Sequence, residues 1–560
     1  MRVQSRSSSI GSSVSSVWAS LRVQTAGMAA GTGLSRLTGL LRILVLAYAL
    51  GFTPLADAYN IANNAPNMLY DVVLGGVLSA TFIPVFVDRL VTRSEREAWD
   101  AISAVVTVAF VVLLLMTVVF WLLAPQIIDA FYVLGHYNTT HAQLDQEKAV
   151  ATTLLRWFVP QVALYGCISL ATALLNTRRR FVAPMWTAIA NNIVCIFVLL
   201  WFHAIAGVPS LATVQLHPEQ LVLLGLGTTV GVAVQAVLLI PSLRRANLSL
   251  RPRFHPRHEA VRAVGRLGSW TLGFVLANQV AQFIVLALAV GVGGAAPVSS
   301  YMYAYTFLQM PYAIAAVSIM SAVTPQLSER WALRQLDAFR KRLSTGLRAV
   351  MSIIIPAAVG MLLLAKPGAT LLLAHGAASP KVQQGAVDTT GASLAMFALG
   401  LPGFCAFQYI VRVLQSMQRT HAAFWLYLIE NGINIVLAVA LVHPMGVRGL
   451  ALSLSIAYSV AAVIGFVQLR GWLGPLGDHK LWAPLRRVGA ASVAMGAVVL
   501  VVVNLSDADG TFALLLRVVG AIVAGGLTYV AVAAVLGARA AKRDREERRT
   551  KSTWQTPPHG

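Results

Sequence analysis

Apolar runs long enough to cross a lipid bilayer recur along nearly the whole chain of 560 residues. A run of about twenty apolar residues spans the hydrocarbon core as an α-helix, whereas lipid offers no hydrogen-bond partner to an open sheet edge. Hydrophobic residues make up 57% of the chain and charged residues only 11%, well below the charge content of soluble domains. The sequence therefore predicts an all-α integral membrane protein.

The apolar runs predict about fourteen transmembrane helices. The predicted spans are 26–51, 58–88, 100–123, 151–176, 181–204, 220–241, 268–291, 297–325, 348–374, 390–416, 421–442, 448–470, 483–504 and 512–537.

Basic residues alternate between the loops on the two sides of these spans. One set of loops is rich in them, with Arg178–Arg180 in one loop and six basic residues between Arg330 and Arg348 in another, whereas the opposite loop "GVGGAAPVSS" has none. Because lysine and arginine collect on the cytoplasmic side, both termini are predicted to be cytoplasmic. The net charge of +22 is spread over these loops. This favours membrane lipids as partners and argues against nucleic acid.

One turn and the helix after it occur twice. The stretch "LLNTRRRFVAPMWTAIANNIVCI" from Leu174 matches "VLQSMQRTHAAFWLYLIENGINI" from Val413 at a constant offset, and "LSATFIP" ending at Pro84 echoes "IMSAVTP" ending at Pro325. An offset of six spans keeps the orientation, so we predict two parallel six-helix halves plus two further helices. Internal repeats of this kind are typical of transporters whose substrate site lies between the halves.

This repeat sets the predicted domain organisation. The predicted segments are a Ser-rich cytoplasmic leader 1–25, an N-terminal half 26–245, a basic cytoplasmic linker 246–267, a C-terminal half 268–471, two additional helices within 483–537 and a basic cytoplasmic tail 538–560.

Three arginines lie well inside predicted spans: Arg36, Arg42 and Arg412. An arginine at mid-bilayer costs about 2.5–3.5 kcal/mol even on the lenient insertion scale, so it faces water or a partner. The functional interpretation is an aqueous cationic chamber for an anionic group such as phosphate, which a guanidinium binds through two parallel donors. The alternative is a structural ion pair between Arg36 and Asp71, which lies at about the same depth.

Polar side chains within the spans extend this picture. Asn63, Asn67 and Gln309 could line the chamber together with Asn64, although asparagines in spans more often bond neighbouring helices.

A second polar group is a candidate ion site. Glu430 and Asn434 share one helix face, and Asn278 and Ser453 could approach from neighbouring spans. Such an oxygen-rich cluster could bind Na⁺, carry a proton, or only join helices.

The stretch "GLSRLTGLLRILVLAYALGFTPLADAYNIANNAPNMLYDVVLGGVLSATFIPVF" resembles the opening of the MurJ/MviN lipid II flippases. The shared pattern is Ser-Arg, six residues to a second arginine, Asp-Ala-aromatic, Pro-Asn and a small-residue stretch ending in Phe-x-Pro. Further stretches resemble later landmarks of that family: "ALLNTRRRFVAP", "YMYAYTFLQMPYAIAAVSIMSAVTPQLS", "VRVLQSM" and "GLALSLSIAYS". The resemblance covers about residues 25 to 537.

This resemblance implies the MOP exporter fold and an undecaprenyl-diphosphate-linked peptidoglycan precursor, lipid II, as the substrate. It implies that Arg36 and Arg42 correspond to the arginines of the first helix, Asp57 to an acidic residue at the outer loop, and Arg412 to a basic residue of the tenth helix. The chain departs from the family where Tyr70 with Asp71, and Thr306 with Gln309, replace expected charged residues. Those positions bear on the diphosphate contacts.

The expected mechanism is alternating access without a covalent step, driven by membrane potential or by Na⁺ or H⁺, and without a cofactor or bound metal. Alternatives are export of another polyprenyl-linked glycan, MATE-like export of a small molecule, and a non-transporting scaffold for cell-wall synthesis proteins. An enzyme would need clustered acidic residues at a membrane face, and the outer loops offer only Asp129, Asp145 and Asp388. The chain also lacks a P-loop for ATP.

Overall fold

The computed structural model describes residues 31–72, 94–133, 141–178, 180, 182–207, 209–246, 250–376, 380–475, 478–505 and 510–553. Within these ranges the chain is helical and forms no strand. The predicted leader 1–25 lies outside them. The described residues divide into two compact units, which are residues up to 299 with 375–383, and 300–374 with the chain from 384 onward.

The first unit contains ten helices and the start of an eleventh within the described residues. They are α1 Gly31–Leu50, α2 Pro54–Tyr70, α3 Glu95–Leu122, α4 Ala124–Val133, α5 His141–Phe158, α6 Pro160–Thr177, α7 Val182–Ala206, α8 Leu211–Leu216, α9 Pro218–Arg245, α10 Glu259–Val290 and α11 Pro297–Pro311. Gly231 lets α9 approach α7 closely, because a Cβ there would lie 2.7 Å from the Asn191 side-chain oxygen.

The second unit continues α11 through a π-helical turn, Tyr312–Ala316, that follows Pro311. Its remaining helices are α12 Val317–Ala332, α13 Leu336–Leu373, α14 Pro380–Ser416, α15 Thr420–Met445, α16 Val447–Leu473, α17 Asp478–Asn504 and α18 Thr511–Thr553. Helices α17 and α18 pack on each other and on α13 around a core of Met495, Val499 and Ala521.

The predicted fold class is confirmed. Thirteen described helical stretches are long and apolar enough to cross a membrane, and each coincides with one predicted span. The remaining predicted span, 58–88, begins within α2 and then runs into residues 73–88, which lie outside the described ranges. The total of fourteen therefore stays a prediction.

The predicted span 151–176 is longer and broken in the structure. Helix α5 begins at His141, ten residues before the predicted start of this span, and Pro160 opens α6 immediately after the chain leaves α5. The polar first turns of α5 gave no apolar signal, which is why sequence periodicity placed the start too late. Proline is favoured in a first helical turn, where its missing N–H costs no intrahelical bond.

The internal repeat is visible in the backbone of its two turns. The Arg180 N–H donates to the Leu175 carbonyl at 2.9 Å, and at the matching positions the Arg419 N–H donates to the Leu414 carbonyl at 2.9 Å. The helix that follows each turn packs on the next long helix, α7 on α9 and α15 on α16. The second echo cannot be compared, because Pro84 lies outside the described residues.

Candidate functional site

The two arginines of α1 have different surroundings. Arg36 is exposed, whereas Arg42 is half-buried beside the Tyr59 hydroxyl, with Tyr165 and Cys195 nearby. Six residues turn a straight helix by about 240°, so the two side chains leave different faces of α1. Neither arginine has a carboxylate within ion-pair distance among the described residues.

Hydrogen bonds to α9 orient the Tyr59 hydroxyl, which lies beside Arg42. The Thr228 hydroxyl donates to the Leu224 carbonyl at 2.7 Å, so it accepts the proton of the Tyr59 hydroxyl, whose oxygen lies 3.0 Å away. The Tyr59 oxygen is therefore left as an acceptor beside Arg42, which can only donate. A neutral oxygen does not cancel the charge of Arg42, so this charge remains to attract an anion.

Arg36 does not pair with Asp71 in this structure. The Asp71 carboxylate instead accepts from the Gln279 side-chain amide at 3.2 Å. Around Arg36, the Asn192 amide of α7 donates to the Ser35 carbonyl at 3.2 Å and to the Thr38 hydroxyl oxygen at 3.0 Å. These bonds fix the backbone of α1 on both sides of Arg36 and leave its guanidinium exposed.

The asparagines of α2 differ in how their amides are used. The Asn67 amide donates to the Asn63 carbonyl within the same helix at 2.9 Å. The Asn63 side-chain oxygen and the Asn64 side-chain nitrogen are buried without a hydrogen-bond partner in the described part of the chain. Buried polar atoms of this kind normally bind water or a ligand.

The Asp57 carboxylate is buried and accepts hydrogen bonds from protein groups. Its carboxylate accepts from the backbone N–H of Val298 at 3.1 Å and of Ser299 at 2.8 Å, and from the Ser299 hydroxyl at 2.6 Å. Val298 and Ser299 are the second and third residues of α11, so Asp57 caps that helix from α2 and stabilises the positive end of its dipole. Asn60 supports this cap by donating to the Ser299 oxygen at 2.8 Å.

A cavity of about 150 Å³ adjoins this cap. Its polar wall includes Asp57, Gln143 and Glu147, and the Glu147 carboxylate accepts from the Tyr132 hydroxyl at 2.8 Å. Arg36 and Arg42 do not line this cavity.

The remaining predicted site residues outside α1 and α2 include Arg412, Gln309 and Asn278. Arg412 is half-buried on α14 near Tyr427, whose hydroxyl donates to the Gln408 side-chain oxygen at 3.3 Å. Gln309 is half-buried on α11, two residues before Pro311 and the π-helical turn. Asn278 lies on α10 of the first unit and is also half-buried.

Glu430 is the acidic residue of the predicted ion site, and it is deeply buried. Its side chain is 1% exposed, and neither carboxyl oxygen has a hydrogen-bond partner in the described ranges. Tyr301, Tyr427 and Tyr458 surround it. One turn along α15, the Asn434 side-chain oxygen lies 2.9 Å from the Ser453 hydroxyl. The structure therefore brings Asn434 and Ser453 together, and their part in an ion site stays a prediction.

The cap at Asp57 gives a stability prediction. Asp57→Asn removes the charge from three hydrogen bonds and should lower the free energy of unfolding by about 1–3 kcal/mol. Reversible unfolding in mixed detergent micelles measures this change. Asp145→Asn, on an exposed side chain of α5, is the control. Equal stability of the two variants would contradict the cap.

Comparison with known proteins was made at the level of family, sequence and structure. The family model described as "Lipid II flippase MurJ" matches residues 46–520. A probable lipid II flippase MurJ from Rhizobium meliloti is 26% identical over 519 residues, covering 90% of this chain and 91% of that protein. A protein of the same description from Vibrio cholerae is 26% identical over 518 residues, covering 91% and 94%.

Two solved structures share the fold. A lipid II flippase MurJ in an inward closed conformation has a TM-score of 0.72 at 22% identity, covering 92% of this chain and 99% of that one. An inward-facing multidrug resistance transporter of the MATE family, in the MOP superfamily, has a TM-score of 0.64 at 15% identity, covering 79% and 96%.

Proposed function

The chain belongs to the family of lipid II flippases described as MurJ, and we propose that it moves an undecaprenyl-diphosphate-linked peptidoglycan precursor from the inner to the outer leaflet. It is a multi-pass bacterial membrane protein with the MOP superfamily fold. The observation that carries the proposed site is the pair of α1 arginines without carboxylate partners in the described chain. Placing a cation in an apolar membrane helix costs free energy, and binding an anion can offset that cost.

The diphosphate of the substrate is the proposed ligand of these cations. Arg42 lies beside Tyr59, and Arg36 is exposed six residues, about 9 Å, nearer the predicted cytoplasmic end. Arginine forks match phosphate oxygens, so the two side chains could bind an anionic headgroup while its lipid tail remains in the bilayer. Asn63 and Asn64 are proposed as further polar contacts beside the arginines, and the roles of Gln309 and Arg412 in substrate binding stay predictions.

Asp57 enters the proposal in a different role from the one predicted. All the bonds described for its carboxylate are made to α11. We infer that it acts on transport through the position of that helix, and that direct contact with the substrate would require this cap to open.

Membrane potential can supply the direction of transport. With both termini cytoplasmic, as the loop charges predict, an inside-negative potential favours outward movement of a negative headgroup by about 2.3 kcal/mol per charge per 100 mV. An empty cationic site is drawn back by the same field. The proposed cycle is alternating access by a transporter, with no bond made or broken, and recruitment of cell-wall synthesis proteins stays a prediction.

The test is a leaflet-resolved assay in the native bacterium depleted of the chromosomal protein. We expect Arg36→Gln with Arg42→Gln to leave the precursor in the inner leaflet, because the anionic headgroup loses its cations. Arg156→Gln, which removes an exposed span arginine stacked over Trp121, is the control and should restore transport. Normal transport by the double variant would contradict the proposed site. Normal precursor distribution after depletion, with another glycan lost, would contradict the proposed substrate.

A second proposal concerns ion coupling at Glu430. Its buried carboxylate without a hydrogen-bond partner is costly if charged, so it needs a proton or a cation such as Na⁺. Asn434 and Ser453 supply oxygens one turn away along α15 and on α16. Asn278 remains a predicted contributor.

Glu430→Gln is the matching test, because it keeps the shape of the side chain and removes the charge. In Na⁺-free buffer at pH 8, we expect the variant to gain about 1–3 kcal/mol in free energy of unfolding. Added NaCl should stabilise the unaltered chain more than the variant, since a ligand stabilises only the state that binds it. Glu329→Gln, on an exposed side chain, is the control. Equal Na⁺ stabilisation of all three chains would contradict Na⁺ binding at Glu430.

A further inference from the structure

The segment Leu250–His258, which we call the linker strap, precedes α10 and is hydrogen-bonded along α3. The Arg251 N–H donates to the Ser103 hydroxyl oxygen at 3.1 Å, and the Arg253 N–H donates to the Thr107 hydroxyl oxygen at 3.0 Å. The Arg253 guanidinium also lies 3.0 Å from the Asp100 carboxylate. The strap is therefore fixed to one face of α3 through both its backbone and a side chain.

The position of this attachment on α3 sets the depth of the strap. Three residues beyond Thr107, at Phe110, a run of exposed large apolar side chains begins. This run comprises Phe110, Val111, Val112, Leu114, Leu115, Val118, Val119, Trp121 and Leu122, each 40% exposed or more. In a membrane protein such a band faces lipid. At 1.5 Å per residue, the strap is bonded about 5 Å from the edge of the band, which is the level of the lipid headgroups.

The side chains of the strap suit a headgroup layer. Phe254 is 61% exposed and stands between the exposed residues Arg253 and Arg257, with Arg251 two residues before Arg253. Exposed arginines also flank the strap at Arg244, Arg245 and Arg262. An exposed aromatic ring is stable at the boundary between headgroups and acyl chains, and arginines bind the phosphates above it.

The strap is also held in shape independently of a ligand. The Arg262 guanidinium donates to the Arg257 carbonyl at 2.9 Å and 3.2 Å, and the His258 ring accepts from the Ala260 N–H at 3.1 Å at the start of α10. Arg251 and Arg257 have no described carboxylate within ion-pair distance. Their guanidinium groups are thus available at fixed backbone positions.

We propose that the linker strap is a binding site for anionic phospholipid headgroups, with Arg251 and Arg257 contacting the phosphate and Phe254 inserted beside the upper acyl chain. Phosphatidylglycerol is the representative ligand, because its net charge complements the strap whereas zwitterionic lipids carry none. The exposed ring next to a lipid-facing band favours a membrane over an acidic protein or nucleic acid. The site lies outside the proposed substrate site. The predicted orientation of the chain places it at the inner leaflet, and only this placement rests on the proposed function.

Titration of the purified full chain with phosphatidylglycerol and phosphatidylcholine, followed by native mass spectrometry, tests this site. Removing two interfacial cations with Arg251→Gln and Arg257→Gln should weaken phosphatidylglycerol binding roughly thirtyfold and leave phosphatidylcholine binding unchanged. Arg539→Gln with Lys542→Gln removes the same charge from exposed positions on α18 and should change binding less than twofold. An unchanged preference in the strap variant, or an equal loss in the α18 variant, would overturn the proposal.

The depth of Phe254 provides an independent measurement. Phe254→Cys is labelled with a water-soluble bimane reagent in a chain whose half-buried Cys167 is replaced by serine. The same chain without Phe254→Cys gives the background, since Cys195 and Cys405 are buried. With both samples free of detergent, the label should emit at a shorter wavelength in phosphatidylglycerol vesicles than in phosphatidylcholine vesicles. An identical, water-like emission in both would contradict insertion of the strap.

Discussion

A guanidinium within a bilayer needs a partner other than lipid, and this requirement shapes the first unit around Arg42. The Tyr59 hydroxyl lies beside Arg42, and Thr228 of α9 accepts the Tyr59 proton while it donates its own proton to the Leu224 carbonyl. Three helices therefore place a neutral oxygen, and no described carboxylate, beside one cation. A carboxylate would neutralise Arg42, whereas neutral oxygens orient it and leave its charge to attract an anion.

The two buried acidic residues of the predicted sites, Asp57 and Glu430, differ from each other in how their carboxylates are bonded. Asp57 accepts three hydrogen bonds from the start of α11, so the protein stabilises its charge. Glu430 has no hydrogen-bond partner among the described residues and is surrounded by tyrosines. Burial of a carboxylate is tolerable when hydrogen bonds satisfy it and costly when they do not. The contrast is the reason for choosing Glu430 rather than Asp57 in the proposal of ion coupling.

The sequence predicted the helical spans well because apolar length and basic loops are local signals. It also identified the family, which the family match and the relatives confirm. It missed Tyr59 as the partner of Arg42, although Tyr59 stands in the quoted Asp-Ala-aromatic motif, because the link to Thr228 spans 169 residues. The capping role of Asp57 was hidden for the same reason, since Ser299 lies 242 residues away. Depth counting alone placed Arg36 level with Asp71, but Gln279 takes that carboxylate.

The α1 arginines are proposed to face a water-filled cavity that an anion can enter. Arg36→Cys and Arg42→Cys, each in a chain whose three native cysteines are replaced, can be labelled in membrane vesicles with charged methanethiosulfonate reagents. The account predicts that both cysteines react with the water-soluble anionic reagent and that added lipid-linked diphosphate slows the reaction. Labelling only by a lipid-soluble maleimide, with no reaction toward the water-soluble reagents from either side, would contradict it.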